Sequence, residues 1–319
     1  MKKCFLILLA AILALSLCAC NSSDAGEKTK IVIAYQYGTA YTPYMIMKQQ
    51  KLIEKHNPAL EVEWKILNSG AAITEGLTAG SIDVAAMGIP PCITGIAKGA
   101  PFKIYSGLSA QPLGLLTNNP SIKTLSDITP EDKIATVNIG SIQHIVLAML
   151  AEKELGDAHA LDTNIMAMSQ PDGMQALLSG SVSCYQSTSP YLFEGAKAEG
   201  IHLVSDMTEV YPAGTPFIVA VATEETHNNP EVYEAIVAAT EEAIEIVNND
   251  REEVAGLVYP DLGLTKEATL EYLNAEGSSF GKDLTGIMDM VSFMDRAGFV
   301  ENAPQKIRDI TYEPVTESE

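Results

Sequence analysis

The chain has 319 residues, and its 20 lysines and arginines stand against 41 aspartates and glutamates, a formal charge of -21. A surface of that sign repels a phosphate backbone and anionic lipid head groups, which excludes a nucleic-acid partner. With 47% hydrophobic and only 19% charged residues the composition excludes a disordered chain, and the length suits two lobes better than one core.

At the N-terminus, Lys2 and Lys3 precede an apolar run from Phe5 to Leu17, then Cys18-Ala19-Cys20 and the polar Asn21-Ser22-Ser23. The run is shorter than the roughly 20 residues that span a bilayer, so residues 1–19 predict a cleaved secretory signal and not an anchor helix. With a small residue just before Cys20, the segment resembles a bacterial lipoprotein signal. That resemblance implies cleavage before Cys20, lipid on its sulfur and amine, and a domain held at the outer face of the cell membrane, on the periplasmic side in a Gram-negative cell. Losing Lys2 and Lys3 leaves 18 basic against 41 acidic residues, a charge of -23. Residues 20–30 read as a polar tether.

Ile31 to Tyr35 predicts a buried strand, followed by the Gly38 loop and helical periodicity from Pro43 to Lys55. Leu60 to Leu67 alternates as a strand, with Val62, Trp64 and Ile66 on one face. Ala71 to Ala79 predicts a helix stopped by Gly80, and Ile82 to Met87 another strand. A helix after Pro91 ends at Gly99, before a strand from Phe102 to Gly107. Strands alternating with helices signal a mostly parallel α/β sheet.

The pattern restarts after Gln111-Pro112. Lys133–Val137, Asn164–Met168, Val182–Gln186 and Ile201–Ser205 read as strands, with helices over Ser141–Leu155 and Asp172–Leu178. A Pro/Gly-rich passage from Glu209 to Pro216 leads into the strand Phe217–Ala222, and the remainder is mainly helical, ending in a polar tail from Glu313 to Glu319. One stretch echoes another: Leu77-Thr-Ala-Gly80-Ser-Ile-Asp83 returns as Leu177-Leu-Ser-Gly180-Ser-Val-Ser183. A helix-Gly-strand junction is common, yet one such unit in each half fits a pair of similar lobes. With Cys4 and Cys18 removed in the signal and Cys20 taken by the lipid, Cys92 and Cys184 remain. They predict two buried thiols, since a disulfide between them would lock together lobes that must move.

Tyr35-Gln36-Tyr37-Gly38, Glu75-Gly76-Leu77-Thr78-Ala79-Gly80-Ser81-Ile82-Asp83 and Asn138-Ile139-Gly140-Ser141-Ile142-Gln143-His144, in this order and joined to the lipoprotein signal, resemble the solute-binding lipoproteins of ABC importers in the nitrate/sulfonate/taurine group. The resemblance implies a type II periplasmic-binding-protein fold: two α/β lobes, two crossovers and a ligand in the cleft between them. The expected lobes are 31–109 with 213–319, and 110–212. Lobe closure would present the loaded form to the membrane permease. No cofactor or metal is implied, and a monomer suits a hinge-closing receptor.

Ligands of open α/β lobes sit beyond the carboxyl ends of strands, which selects the loops there. Tyr35, Gln36 and Tyr37 offer amide and phenol groups, with only one tyrosine expected to be deeply buried. Met87, Gly88 and Ile89 lead into a helix whose first amides could face the cleft. Gln111 lies at the first crossover. Gly140 and Ser141 open the helix carrying Gln143 and His144, and Gln186, Ser187, Thr188 and Ser189 form a hydroxyl-rich loop. Alone, Ser141 marks an ordinary capped helix; with the resemblance it marks a site for an anionic oxygen. Arg251, Arg296 and Arg308 all lie in the C-terminal region, so a guanidinium clamp is not expected. His144 serves either the ligand or its own lobe.

The sequence also departs from the group. Ser183, Thr188 and Ser189 stand where many relatives carry an acid, a Trp and another acid, which counts against taurine and leaves room for another ligand. The expected function is therefore delivery of a small oxyanion to a permease, with a thiamine-related pyrimidine or other heteroaromatic as the alternative ligand. An enzyme is not expected: pyrimidine-forming relatives of this fold depend on a cysteine-rich cluster that is missing, and no feature places Cys184 with His144 or His202. A sensory role is not separable from transport by sequence.

Overall fold

The computed structural model describes residues 29–312. The signal segment, Cys20 and the polar tail lie outside the described residues. Two sheets organise the molecule. The first has the order β11-β4-β10-β3-β1-β2, built from β1 (Thr29–Tyr35), β2 (Leu60–Ile66), β3 (Val84–Gly88), β4 (Phe102–Ala110), β10 (Pro216–Thr223) and β11 (Ser279–Phe280). The second has the order β7-β6-β8-β5-β9, from β5 (Leu113–Thr117), β6 (Ile134–Thr136), β7 (Ile165–Ala167), β8 (Cys184–Thr188) and β9 (His202–Ser205).

Both sheets follow one plan. β1 lies parallel between β2 and β3, and β6 lies parallel between β7 and β8. The next strand, β10 or β5, runs antiparallel, and each is the first strand made after the chain passes from one sheet to the other. The passages are short: residues 111–112, then 206–215. β3, β8 and β10 are buried throughout, as expected of strands covered on both faces.

The sequence echo is a structural equivalence. Ser69 caps the helix Gly70–Thr78 by accepting from the Ala72 N–H at 3.2 Å, and Ser169 caps Gln170–Leu178 by accepting from Asp172 at 3.3 Å. The same helices end alike. The Ser81 N–H reaches the Gly76 carbonyl and the Ser181 N–H the Ala176 carbonyl, each at 2.9 Å, past Gly80 at φ 69° and Gly180 at φ 74°. A left-handed turn of this kind is the usual work of glycine after a helix.

Several expectations need correction. Thr29 and Lys30 belong to β1 and not to the tether, because they pair with Leu60 and Glu61 of β2. The helix read from Pro43 to Lys55 is broken by Lys51, which adopts φ 50° and separates Thr42–Gln50 from Leu52–His56. The helix expected after Pro91 starts at Ile89, taking both prolines into its first turn, where their missing N–H groups cost nothing. β5 was not expected at all: it is short, and Gly114 interrupts its apolar pattern. That glycine leaves room for Leu192, whose Cδ1 a Cβ there would approach to 2.6 Å.

Candidate functional site

The carboxyl ends of β1, β3, β6 and β8 face one another across a cleft between the sheets. In the structure the cleft is closed down to a cavity of about 20 Å³ in the volume open to water centres, room for about one water molecule. Of the residues singled out from the sequence, Gln36, Tyr37, Gly88, Ser141, Gln143 and Thr188 lie on its wall. None of the lining residues is charged.

Ser141 is 4% exposed and caps the helix Ile142–Leu155. Its Oγ accepts from the His144 N–H at 3.2 Å and lies 3.4 Å from the Thr136 hydroxyl. Ile142 and Gln143, also on the wall, carry the first amides of this helix, which have no intrahelical carbonyl to meet. The opposite helix start is different. Ile89–Ala97 begins at Gly88 with Pro90 and Pro91, which have no N–H, so this side forms an apolar wall and not the expected row of amides. The two walls meet closely: a Cβ at Gly88 would be in van der Waals contact with Ile142 Cγ2, at 3.4 Å.

Gln36 donates to the Tyr41 hydroxyl at 2.9 Å, and burial raises the pKa of that phenol well above its usual value. Tyr37 is 36% exposed at the rim while Tyr35 is 1% exposed. The Tyr35 ring packs edge-on against Trp64 at 6.1 Å, its hydroxyl has no hydrogen-bond partner, and burial pushes its pKa up to about 12. Tyr35 is thus a core residue beneath the site. Met87 and Ile89 are likewise packed in the core and do not reach the cavity wall.

His144 also stands away from the wall, because its own lobe uses both ring nitrogens. Nδ1 accepts the Gly140 N–H at 3.1 Å, and Nε2 faces Asp162 Oδ1 at 3.2 Å. Burial lowers its pKa below the ordinary histidine value, partly offset by Asp162. Gly140, at φ 78°, lines with Ile139 a second, larger pocket against the helices Gly70–Thr78 and Ile89–Ala97. Gln111 sits at the crossover, accepting from Thr39 Oγ1 at 3.0 Å, with its amide nitrogen unpaired.

On the second sheet, Gln186 is fully buried and both ends of its amide lack a partner, and the buried Ser189 hydroxyl is also unpaired. Ser187 donates to the Thr188 carbonyl at 3.3 Å, and Thr188 to the Pro112 carbonyl at 2.8 Å. Ser183 lies just before β8, at the end of the strand remote from the cleft. An acid there would not meet a ligand ammonium. The equivalent Asp83 in the first lobe accepts from the Val32 N–H at 2.7 Å, a structural task.

Sequence reasoning missed Asn68, Gly70, Gln170, Tyr41, Val137 and Phe217, all on the wall. The signal for two of them was present. Asn68-Ser69-Gly70 and Ser169-Gln170 begin the helices whose ends carry the echo, and extending the echo backwards by one helix finds both. Cys92 and Cys184 are free and buried, and burial pushes the Cys184 thiol up to about 11. With His202 bound to the Ile122 carbonyl and His144 to Asp162, no thiol–imidazole pair forms from these residues. Among the described residues, no group of His, Cys, Asp and Glu is placed to hold a metal, and no helix is long and apolar enough to cross a membrane.

Comparison with known proteins places this geometry. A curated Bacillus subtilis (strain 168) protein named for binding aliphatic sulfonates is 26% identical over 233 residues, covering 70% of this chain and 69% of its own. The alkanesulfonate-binding protein SsuA from Xanthomonas axonopodis pv. citri, solved bound to MOPS, matches at TM-score 0.73 and 18% identity over 90% of this chain and 99% of its own. The periplasmic nitrate-binding protein NrtA from Synechocystis PCC 6803 matches at TM-score 0.70 and 14% identity over 90% and 87%. These relatives are named for binding, not for catalysis, and the structural likenesses establish a two-lobed periplasmic-binding-protein fold. Residues 24–258 match the NMT1-like family, well over half of the sequence, and the chain belongs to that family.

Proposed function

We propose that the protein is the extracytoplasmic substrate-binding component of an ABC importer, anchored by lipid at Cys20. In this reading it holds a small oxyanion, sulfonate- or nitrate-like, and delivers it as a monomer to the permease. The observation that carries the reading is the Ser141-capped helix opening onto an uncharged cavity. Free amides and the positive end of a 14-residue helix attract an anion without a basic side chain. The names of the relatives support the same ligand class. The cavity has no carboxylate on its wall to meet an ammonium, so taurine is a weaker candidate than a plain alkylsulfonate.

A heteroaromatic ligand such as a thiamine-related pyrimidine is the second reading, favoured by Tyr37, Tyr41 and Phe217 on the wall. The unpaired amides at the Ser141 helix start favour the oxyanion. Isothermal titration with methanesulfonate, nitrate and an aminopyrimidine separates the two. Ser141→Ala should weaken oxyanion binding by about tenfold, the worth of one hydrogen bond to a charged group. Wild-type affinity in that variant would remove Ser141 from the site.

A further inference from the structure

Outside the cavity, the second lobe touches the first through a histidine cluster that the ligand site does not use. His159 Nδ1 lies 2.7 Å from Asp162 Oδ2, and His159 Nε2 lies 2.7 Å from the Ala297 carbonyl oxygen. Ala297 follows the helix Ile287–Arg296, which packs on Ile89–Ala97 of the first lobe. The Phe299 ring sits beside both imidazoles, with centroids 4.5 Å from His159 and 5.5 Å from His144. Arg296 pairs with Glu152 at 2.5 Å along the same seam.

Asp162 shares its carboxylate. One oxygen meets His159; the other meets His144, whose Nδ1 accepts the Gly140 N–H. One carboxylate therefore joins the lobe seam to the loop that starts the Ser141 helix. The two rings have opposite needs. His144 must leave Nδ1 unprotonated to accept from Gly140, so its neutral form fits. His159 faces two acceptors, a carboxylate and a carbonyl, and satisfies both only with a proton on each nitrogen.

We infer that His159 is a proton-dependent latch across the lobes: protonated, it bonds Asp162 and Ala297 together and favours the closed form, and deprotonated it releases one of them. The surroundings agree. Asp162, then the Ala297 carbonyl, raises the His159 pKa above its ordinary 6.5. Asp157, whose side chain accepts from the His159 backbone N–H at 2.9 Å, adds negative charge from the same lobe, His144 shares Asp162 with it, and Arg296, next to Ala297 in the chain, is paired with Glu152. The latch holds below that raised pKa and is lost as pH rises through it. The inference depends on the hinge and not on which solute is bound.

Small-angle scattering of the purified protein with no added solute tests it. The radius of gyration is measured at about pH 5.5 and about pH 8, either side of the ordinary histidine value. The wild type should be more compact at the lower pH, and His159→Gln should have one radius at both. A wild-type radius that ignores pH, or a full wild-type response in His159→Gln, would overturn the latch. Nitrogen-15 shifts of the His159 ring in the wild type give an independent reading. Loss of its second proton must track the expansion, and expansion without that loss contradicts the proposal.

Discussion

Gly38 adopts φ 125°, and a Cβ there would stand 3.1 Å from the Ser189 carbonyl oxygen on the other lobe. That same oxygen accepts from the Thr39 N–H at 3.3 Å, so the residue sets how closely the two lobes meet at the back of the cleft. Gly38→Ala should cost about 1–3 kcal/mol in urea unfolding, the strain of a side chain in an extended positive-φ backbone open essentially only to glycine. It should also weaken closure. His144 gives a second test at this scale. Burial depresses its folded pKa below 6.5, so the neutral ring stabilises the fold fully above pH 6.5 and less as pH falls through the folded value. The stability gap between wild type and His144→Gln should be widest near neutrality and narrow in acid; a gap that widens in acid would refute the assignment. The cap formed by Ser141 could be read from residue type alone, because a serine before an apolar helix run is a strong cap signal. The outward turn of His144 could not, because it depends on Asp162 and Phe299, distant in sequence.

At the scale of elements, the matched junctions at Gly80 and Gly180 should behave alike. Nothing lies within 4 Å of a Cβ at either position, so only backbone strain opposes substitution. Gly80→Ala and Gly180→Ala should each cost about 1 kcal/mol by chemical denaturation. A large difference between them would show that the echo is superficial. Most strands and helices were legible because their apolar periods and glycine stops are local. β5 was not: its pairing with β8 and β9 comes from distant chain, and its glycine serves Leu192 and not a turn. The helix from Ile89 was misplaced for a related reason, since consecutive prolines mark a break when interior and a start when first.

At the scale of the molecule, the loops beyond the strand ends could be named from the sequence, but which of their residues face the cavity could not. Gln36 and Gln143 reach the wall while Gln186 is buried beside it, a distinction set by how two sheets about 100 residues apart in sequence meet. In the proposed function a ligand closes between these loops, and binding to the native state alone must raise stability. Thermal unfolding against methanesulfonate, taurine, nitrate, carboxylates, pyrimidines and riboflavin is therefore the most direct measurement. A bound solute at 100 times its dissociation constant should add about 2.7 kcal/mol. The account predicts that methanesulfonate or nitrate raises the melting temperature and that Ser141→Ala reduces the rise. A rise with pyrimidines or riboflavin alone, or with none of these solutes, would contradict it.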